Sequence, residues 1–146
     1  MAVSLAPPRE EGYLVLADIT GYTSFLTRTE LEHAHGIVAE LTTLVIAKLA
    51  APLRFVELEG DAVFAYAPAA AFADAKAQID KMEACYVAFR LRLEEMRLAT
   101  TCTCTACALM GGPDVKFIGH LGSFVLQQTP TGAKPMGADV ILVQPV

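Results

Sequence analysis

Apolar and polar positions in this chain follow two rhythms, and the change from one to the other marks its elements. Tyr13 to Ala17 (YLVLA) is an unbroken apolar run of strand length. It meets Asp18, Thr20 and Gly21, and so reads as a buried strand that ends at Asp18 and turns into a helix. Thr29, with Glu32 three residues on, is a capping-box pattern, and Leu31, His35, Val38, Thr42, Val45 and Leu49 follow at helical spacing up to Pro52. Leu53–Leu58 and Ala62–Ala67 read as two short strands joined tightly at Glu59, Gly60 and Asp61 and closed by Pro68. From Ala70 to Ala99, Phe72, Ala75, Ile79, Met82, Tyr86, Phe89, Leu93 and Met96 recur at steps of three and four. That spacing predicts one long amphipathic helix whose apolar stripe is core or dimer interface. Val115–Leu121, Ser123–Gln127 and Asp139–Val143 read as strands, after a turn at Gly111–Asp114.

The order strand, helix, strand, strand, helix, strand is the split βαβ arrangement. The expected fold is therefore α+β: a ferredoxin-like βαββαβ core with an antiparallel sheet and helices on one face, extended by C-terminal strands. In that topology the third strand inserts between the first and second, which brings Asp18 and Asp61 together although 43 positions separate them. Two carboxylates about 4 Å apart repel by roughly 4 kcal/mol at an effective dielectric near 20. A pair of Mg²⁺ or Mn²⁺ ions offsets that repulsion, and such hard cations combine one or two carboxylates with substrate phosphates. Thr20, Gly21, Tyr22 and Thr23 add a glycine turn and the amides of a helix N-terminus, which suit a triphosphate. The competing reading gives Asp18 a helix cap and Asp61 a turn position.

Length and composition narrow the picture. At 146 residues there is material for one core, here 12–146, after a polar, proline-containing leader over 1–11 that is expected to be flexible and has the features of neither a signal peptide nor an anchor. The longest apolar stretch, Leu41–Leu53, is broken by Thr42, Thr43 and Lys48, so no membrane segment is expected. A net charge of −5 without a basic cluster argues against a nucleic-acid partner. Cys102, Cys104 and Cys107 fall within six positions, which is no disulfide framework, and a cytoplasmic location is expected. The same three thiols resemble a soft-metal set one ligand short of a closed zinc site, with Cys85 or His120 as candidates for the fourth. Packing of small thiols, or redox chemistry of a Cys-x-x-Cys pair, are the other readings. His33 and His35 point in different directions on their helix and form no chelating pair, His35 being expected near the apolar face. His120 reads as structural. No Walker, nucleophile-elbow or dinucleotide motif is found.

Leu16-Ala17-Asp18-Ile19-Thr20-Gly21-Tyr22-Thr23 resembles the first metal motif of class III adenylate and guanylate cyclases, and Gly60-Asp61-Ala62 resembles their second. More narrowly, the chain is similar to a bacterial family of unknown function related to those cyclases. That family shares the Cys-x-Cys-x-x-Cys stretch, a strand like Lys116–Gly122 and a stretch like Gly137–Ile141, so that the resemblance covers nearly all of Gly12–Val143. It implies a two-ion metal site on Asp18 and Asp61 with the carbonyl of Ile19 as a further ligand, a nucleoside triphosphate on the amides that follow, and a homodimer with the site between subunits. It also implies gaps. The cyclase asparagine and arginine align with Ile141 and Pro145, the chain being expected to stop before their helix can form, and the base-reading lysine aligns with Phe55. The expected function is a nucleotidyl cyclase-like domain that binds a metal nucleotide with degenerate or no turnover, and the alternative is a noncatalytic dimerisation module.

Overall fold

The computed structural model describes residues 7–21 and 30–144. Strand β1 (Arg9–Thr20) leads to helix α1 (Leu31–Leu49), the hairpin β2 (Arg54–Glu59) and β3 (Ala62–Pro68), and the long helix α2 (Ala75–Ala99). A four-residue helix α3 (Thr105–Ala108), strands β4 (Asp114–Thr129) and β5 (Gly132–Met136), and helix α4 (Ala138–Val143) complete the described chain. The sheet runs β2-β3-β1-β4-β5, every neighbouring pair antiparallel. Its first four members in that order are the expected βαββαβ core, with β3 between β1 and β2.

Alternation along β1 divides the core in two. Val15, Ala17 and Ile19 point to the face covered by α1 and α2, where Leu41, Val45, Leu49, Phe89 and Leu93 meet them. Leu14 and Leu16 point the other way, to Phe64, Tyr66, Phe124, Val140 and Val143. Each such side chain withdrawn from water contributes about 1.5–3 kcal/mol, and these two clusters hold the sheet between its layers. On α1 the buried stripe is Ala34, Ile37, Val38, Leu41, Val45 and Leu49, spaced by threes and fours. His35, expected near the apolar face, is exposed, because the stripe runs one residue to its side. Arg92 of α2 pairs with Glu40 of α1 and ties the two long helices at their solvent edge.

Several boundaries differ from the sequence reading. Strand β1 is longer at both ends: Arg9–Glu11, assigned to the leader, pair with Val125–Ser123, and Asp18 lies two residues inside the strand rather than at its end. Helix α2 starts at Ala75, where the Asp74 carboxylate accepts the Ala77 amide as an N-cap, and Ala69–Ala71 before it form a 3₁₀ turn. The two strands read at Val115–Leu121 and Ser123–Gln127 are one continuous strand, β4. The segment Asp139–Val143, read as a strand, is helical and packs on the face of the sheet opposite the long helices. The Thr29 cap lies outside the described residues.

Candidate functional site

The β2–β3 hairpin turns through two residues, Gly60 and Asp61, because Glu59 pairs directly with Ala62. Gly60 takes φ 66°, the left-handed value that the first position of such a tight loop demands and that glycine adopts without strain. Ala62 pairs in turn with Asp18, so the turn is held against β1, and the Ile19 amide donates to the Asp61 carbonyl at 3.4 Å. Asp18 and Asp61 are thus neighbours at one end of the sheet, as the topology predicts.

The Asp18 carboxyl is pushed above the ordinary carboxylate range, first by burial and then by the charge of Asp61 beside it, with Lys116 opposing. Its Oδ1 is buried and has no hydrogen-bond partner among the described residues. A buried carboxylate oxygen without a donor is costly, and a hard cation with oxygen preference is what such a donor set fits. Pairing across the strands aligns Glu59, Ala62, Asp18 and Lys116 in one row on the face opposite the long helices. Sequence reasoning missed Lys116 and gave Glu59 only a turn role, since a cross-strand row has no signature in the linear order. Further along β2, Glu57 and Glu59 form a carboxyl pair whose interaction raises the Glu59 carboxyl and lowers that of Glu57, and Lys134 of β5 pairs with Glu57 at 2.5 Å. Asp61 also borders an open cleft of about 300 Å³ against α1, lined by His35, Val38, Thr42, Leu58 and Gly60 among others.

Of the residues assigned to phosphate, Thr20 is the exposed last residue of β1, and Gly21 turns with φ 77° against Gly112. Tyr22 and Thr23 lie outside the described residues. Ile19 has its side chain in the core, which leaves only its backbone for any ligand role. Helix α4 does form after the last motif, contrary to the expectation that the chain stops short of it; Ile141 sits on it with 75% of its surface exposed, and Pro145 lies outside the described residues. Phe55 is exposed on β2.

The cysteines fall elsewhere. Cys102, Cys104 and Cys107 gather around His33 at the start of α1. Neither candidate for a fourth partner joins them. Cys85 is buried between α1 and α2, where desolvation pushes its thiol up to about 11, and His120 faces Asp139 at 3.1 Å. Asp139 accepts the Ser123 amide at 2.9 Å as well and so fastens α4 to β4, the contacts holding its carboxyl below the ordinary range.

A family model described as "Protein of unknown function (DUF2652)" matches residues 38–146. Among curated proteins, an "Uncharacterized protein Rv2561/Rv2562" of Mycobacterium tuberculosis is 30% identical over 91 residues, which are 62% of this chain and 42% of that protein. The chain therefore spans less than half the length of that relative. Among solved structures, a class III adenylyl cyclase-like ATP-binding protein from Pseudomonas aeruginosa superposes with a TM-score of 0.72 at 17% identity, over 92% of this chain and 30% of its own. The adenylyl cyclase CyaB from P. aeruginosa superposes with a TM-score of 0.67 at 17% identity, over 94% of this chain and 71% of its own. At such identities the likeness establishes the fold, which is that of class III cyclases. No helix among the described residues is long and apolar enough to cross a membrane.

Proposed function

The chain belongs to the family described as Protein of unknown function (DUF2652), and from that membership and its class III cyclase fold we propose that it binds a nucleoside triphosphate with Mg²⁺ or Mn²⁺ at Asp18 and Asp61. We further propose that it turns the nucleotide over barely or not at all. The observation that carries the reading is the buried Asp18 Oδ1, which has no donor among the described residues and is set beside a second carboxylate. A ferredoxin-like scaffold does not need that arrangement, whose cost a bound cation would remove. One neighbour of the same fold is itself described as adenylyl cyclase-like and ATP-binding.

In this reading Asp18 and Asp61 hold the ion, the Ile19 carbonyl adds a ligand, and the backbone around Thr20 and Gly21, continuing to Tyr22 and Thr23, receives phosphate. When bound, the ion would neutralise the facing carboxylates and screen the triphosphate charge. Lys116, cross-strand from Asp18, supplies the nearest fixed positive charge on that row. Acceleration requires contacts that strengthen in the transition state, and loss of one such stabiliser typically costs 10²–10³ in rate. Ile141 stands at the asparagine position with an apolar side chain in solvent, and Phe55 at the base-reading position has no hydrogen-bonding group. A homodimer fits the apolar outer surface of α4, where Ile141 and Leu142 are 75% and 70% exposed.

Isothermal titration of ATP and GTP in Mn²⁺ should give binding to the wild type and none to Asp18→Ala. A coupled assay at millimolar Mn²⁺ and nucleotide should give only traces of cyclic product. Absence of binding at saturating metal nucleotide favours the dimerisation module, whose association should then persist in Asp18→Ala. Robust product that disappears in Asp18→Ala overturns the assignment of weak turnover.

A further inference from the structure

The first turn of α1 and the loop after α2 meet at a side-chain cluster that the nucleotide site does not use. His33 Nδ1 lies 3.1 Å from Cys104 Sγ, 3.6 Å from Cys102 Sγ and 4.0 Å from Cys107 Sγ. The four donor atoms are all within 4.8 Å of one another. A tetrahedral ion bonded to sulfur at about 2.3 Å and to nitrogen at about 2.0–2.1 Å sets N···S edges of about 3.6 Å and S···S edges of about 3.8 Å. The three observed N···S edges straddle that value. A hydrogen bond requires one sulfur near the imidazole nitrogen, whereas three sulfurs around a single nitrogen are the arrangement of a ligand set.

We propose that His33, Cys102, Cys104 and Cys107 form a closed zinc site that joins the start of α1 to the α2–β4 connection. Thiolate and imidazole donors suit zinc, while the hard Mg²⁺ and Mn²⁺ ions prefer the carboxylates of the other site, so the two sites sort their ions by chemistry. Binding takes up Zn²⁺ as three thiols release their protons to solvent, and the neutral imidazole completes a site of net charge −1. The surroundings are organised for it. The Cys107 amide points at Cys104 Sγ at 3.5 Å, as donors to metal-bound thiolates do. The Glu30 carboxylate, one residue before α1, accepts the Ala106 amide at 2.9 Å and holds the cysteine loop against the helix that carries His33. All three thiols are free of disulfides. Helix α3 has only four residues, and its buried positions, Ala106 and Cys107, reach the main core together with Met110. The site is a cross-link between two segments far apart in sequence, and the segment it anchors runs on to Gly112, against the turn at Gly21.

The test uses the full chain, reduced and stripped of metal, with Zn²⁺ and Co²⁺ alone as probes. Zinc should bind at about one ion per chain and raise the melting temperature, and Co²⁺ should give thiolate charge-transfer bands with the intense d–d absorption of a tetrahedral site. His33→Ala and Cys104→Ser should each weaken zinc by at least ~100-fold in competition with a chromophoric chelator, since even second-shell losses cost 10–100-fold. His120→Ala and Cys85→Ser should keep wild-type affinity. Three outcomes overturn the proposal: no zinc retained against the chelator, a weak octahedral cobalt spectrum, or unchanged affinity in His33→Ala. The cobalt spectrum is read on the wild type, so the result stands even if a variant fails to fold.

Discussion

Replacing Asp61 with Asn should stabilise the metal-free protein and at the same time abolish its response to metal nucleotide. Asn fits the hairpin turn as well as Asp does, so the loop geometry survives and the change isolates charge. Two unit charges about 4 Å apart repel by ~4 kcal/mol at an effective dielectric near 20. Both carboxylates are only half-buried, and screening reduces such surface terms to ~1 kcal/mol or less. A gain of ~1 kcal/mol raises the melting temperature of a domain this size by about 2–4 °C. The sign with pH follows from Asp18, whose carboxyl is raised in the folded state: a raised acid weakens the fold as pH climbs from its ordinary value of 3.8 through the folded value. The advantage of Asp61→Asn should therefore be present at pH 7 and vanish as the solution is acidified below that ordinary value. With Mn²⁺ and ATP at about 100 times the dissociation constant, the wild type should gain ~2.7 kcal/mol and overtake the variant. Thermal melting in low salt, with and without metal nucleotide, reads both effects in one experiment. If Asp61→Asn melts below the wild type without metal, or retains the full shift with it, Asp61 is a turn residue and the metal reading is wrong.

Asp139→Asn should lower the melting temperature at pH 7, because the carboxylate that fastens α4 loses its charge. Its folded value is depressed, so that contribution exists above its ordinary value of 3.8 and fades as pH falls through the folded one; wild type and variant should converge in acid. Gly12→Ala should be severely destabilising, measured by urea unfolding, because the added Cβ would sit 2.3 Å from the Ala67 carbonyl oxygen and force β1 and β3 apart. A midpoint within error of the wild type would contradict that register.

Periodicity made the core legible. The apolar run of β1 and the three- and four-residue steps of the long helices identify those elements, and topology alone then brings Asp18 to Asp61. The C-terminal part resisted for local reasons. Val140-Ile141-Leu142-Val143 has three β-branched residues and is too short for a period to separate strand from helix, and burial of Val140 and Val143 on the sheet decides for helix. Strand β5, Gly-Ala-Lys-Pro-Met, has no alternation and carries a proline that only an edge strand tolerates. Gly122 looked like a break in β4, yet it is there because Asp139 lies over it: a Cβ would meet that side chain at 2.8 Å. His33 was invisible as a partner of the cysteines because 69 to 74 positions separate them, and no spacing rule spans that distance.

Strand β4 is a ruler shared by two attachments. Its pairing with β1 fixes Lys116 opposite Asp18 and, six residues on, Gly122 opposite Gly12, beneath Asp139. Side chains alternate strictly along a strand, so inserting or deleting one residue between those points turns one attachment to the wrong face while the other stays in place. The interval from Lys116 to Gly122 should thus accept exchanges of residue type but no change of length. In natural variants of this fold, gaps should collect in the β4–β5 loop and skip this interval.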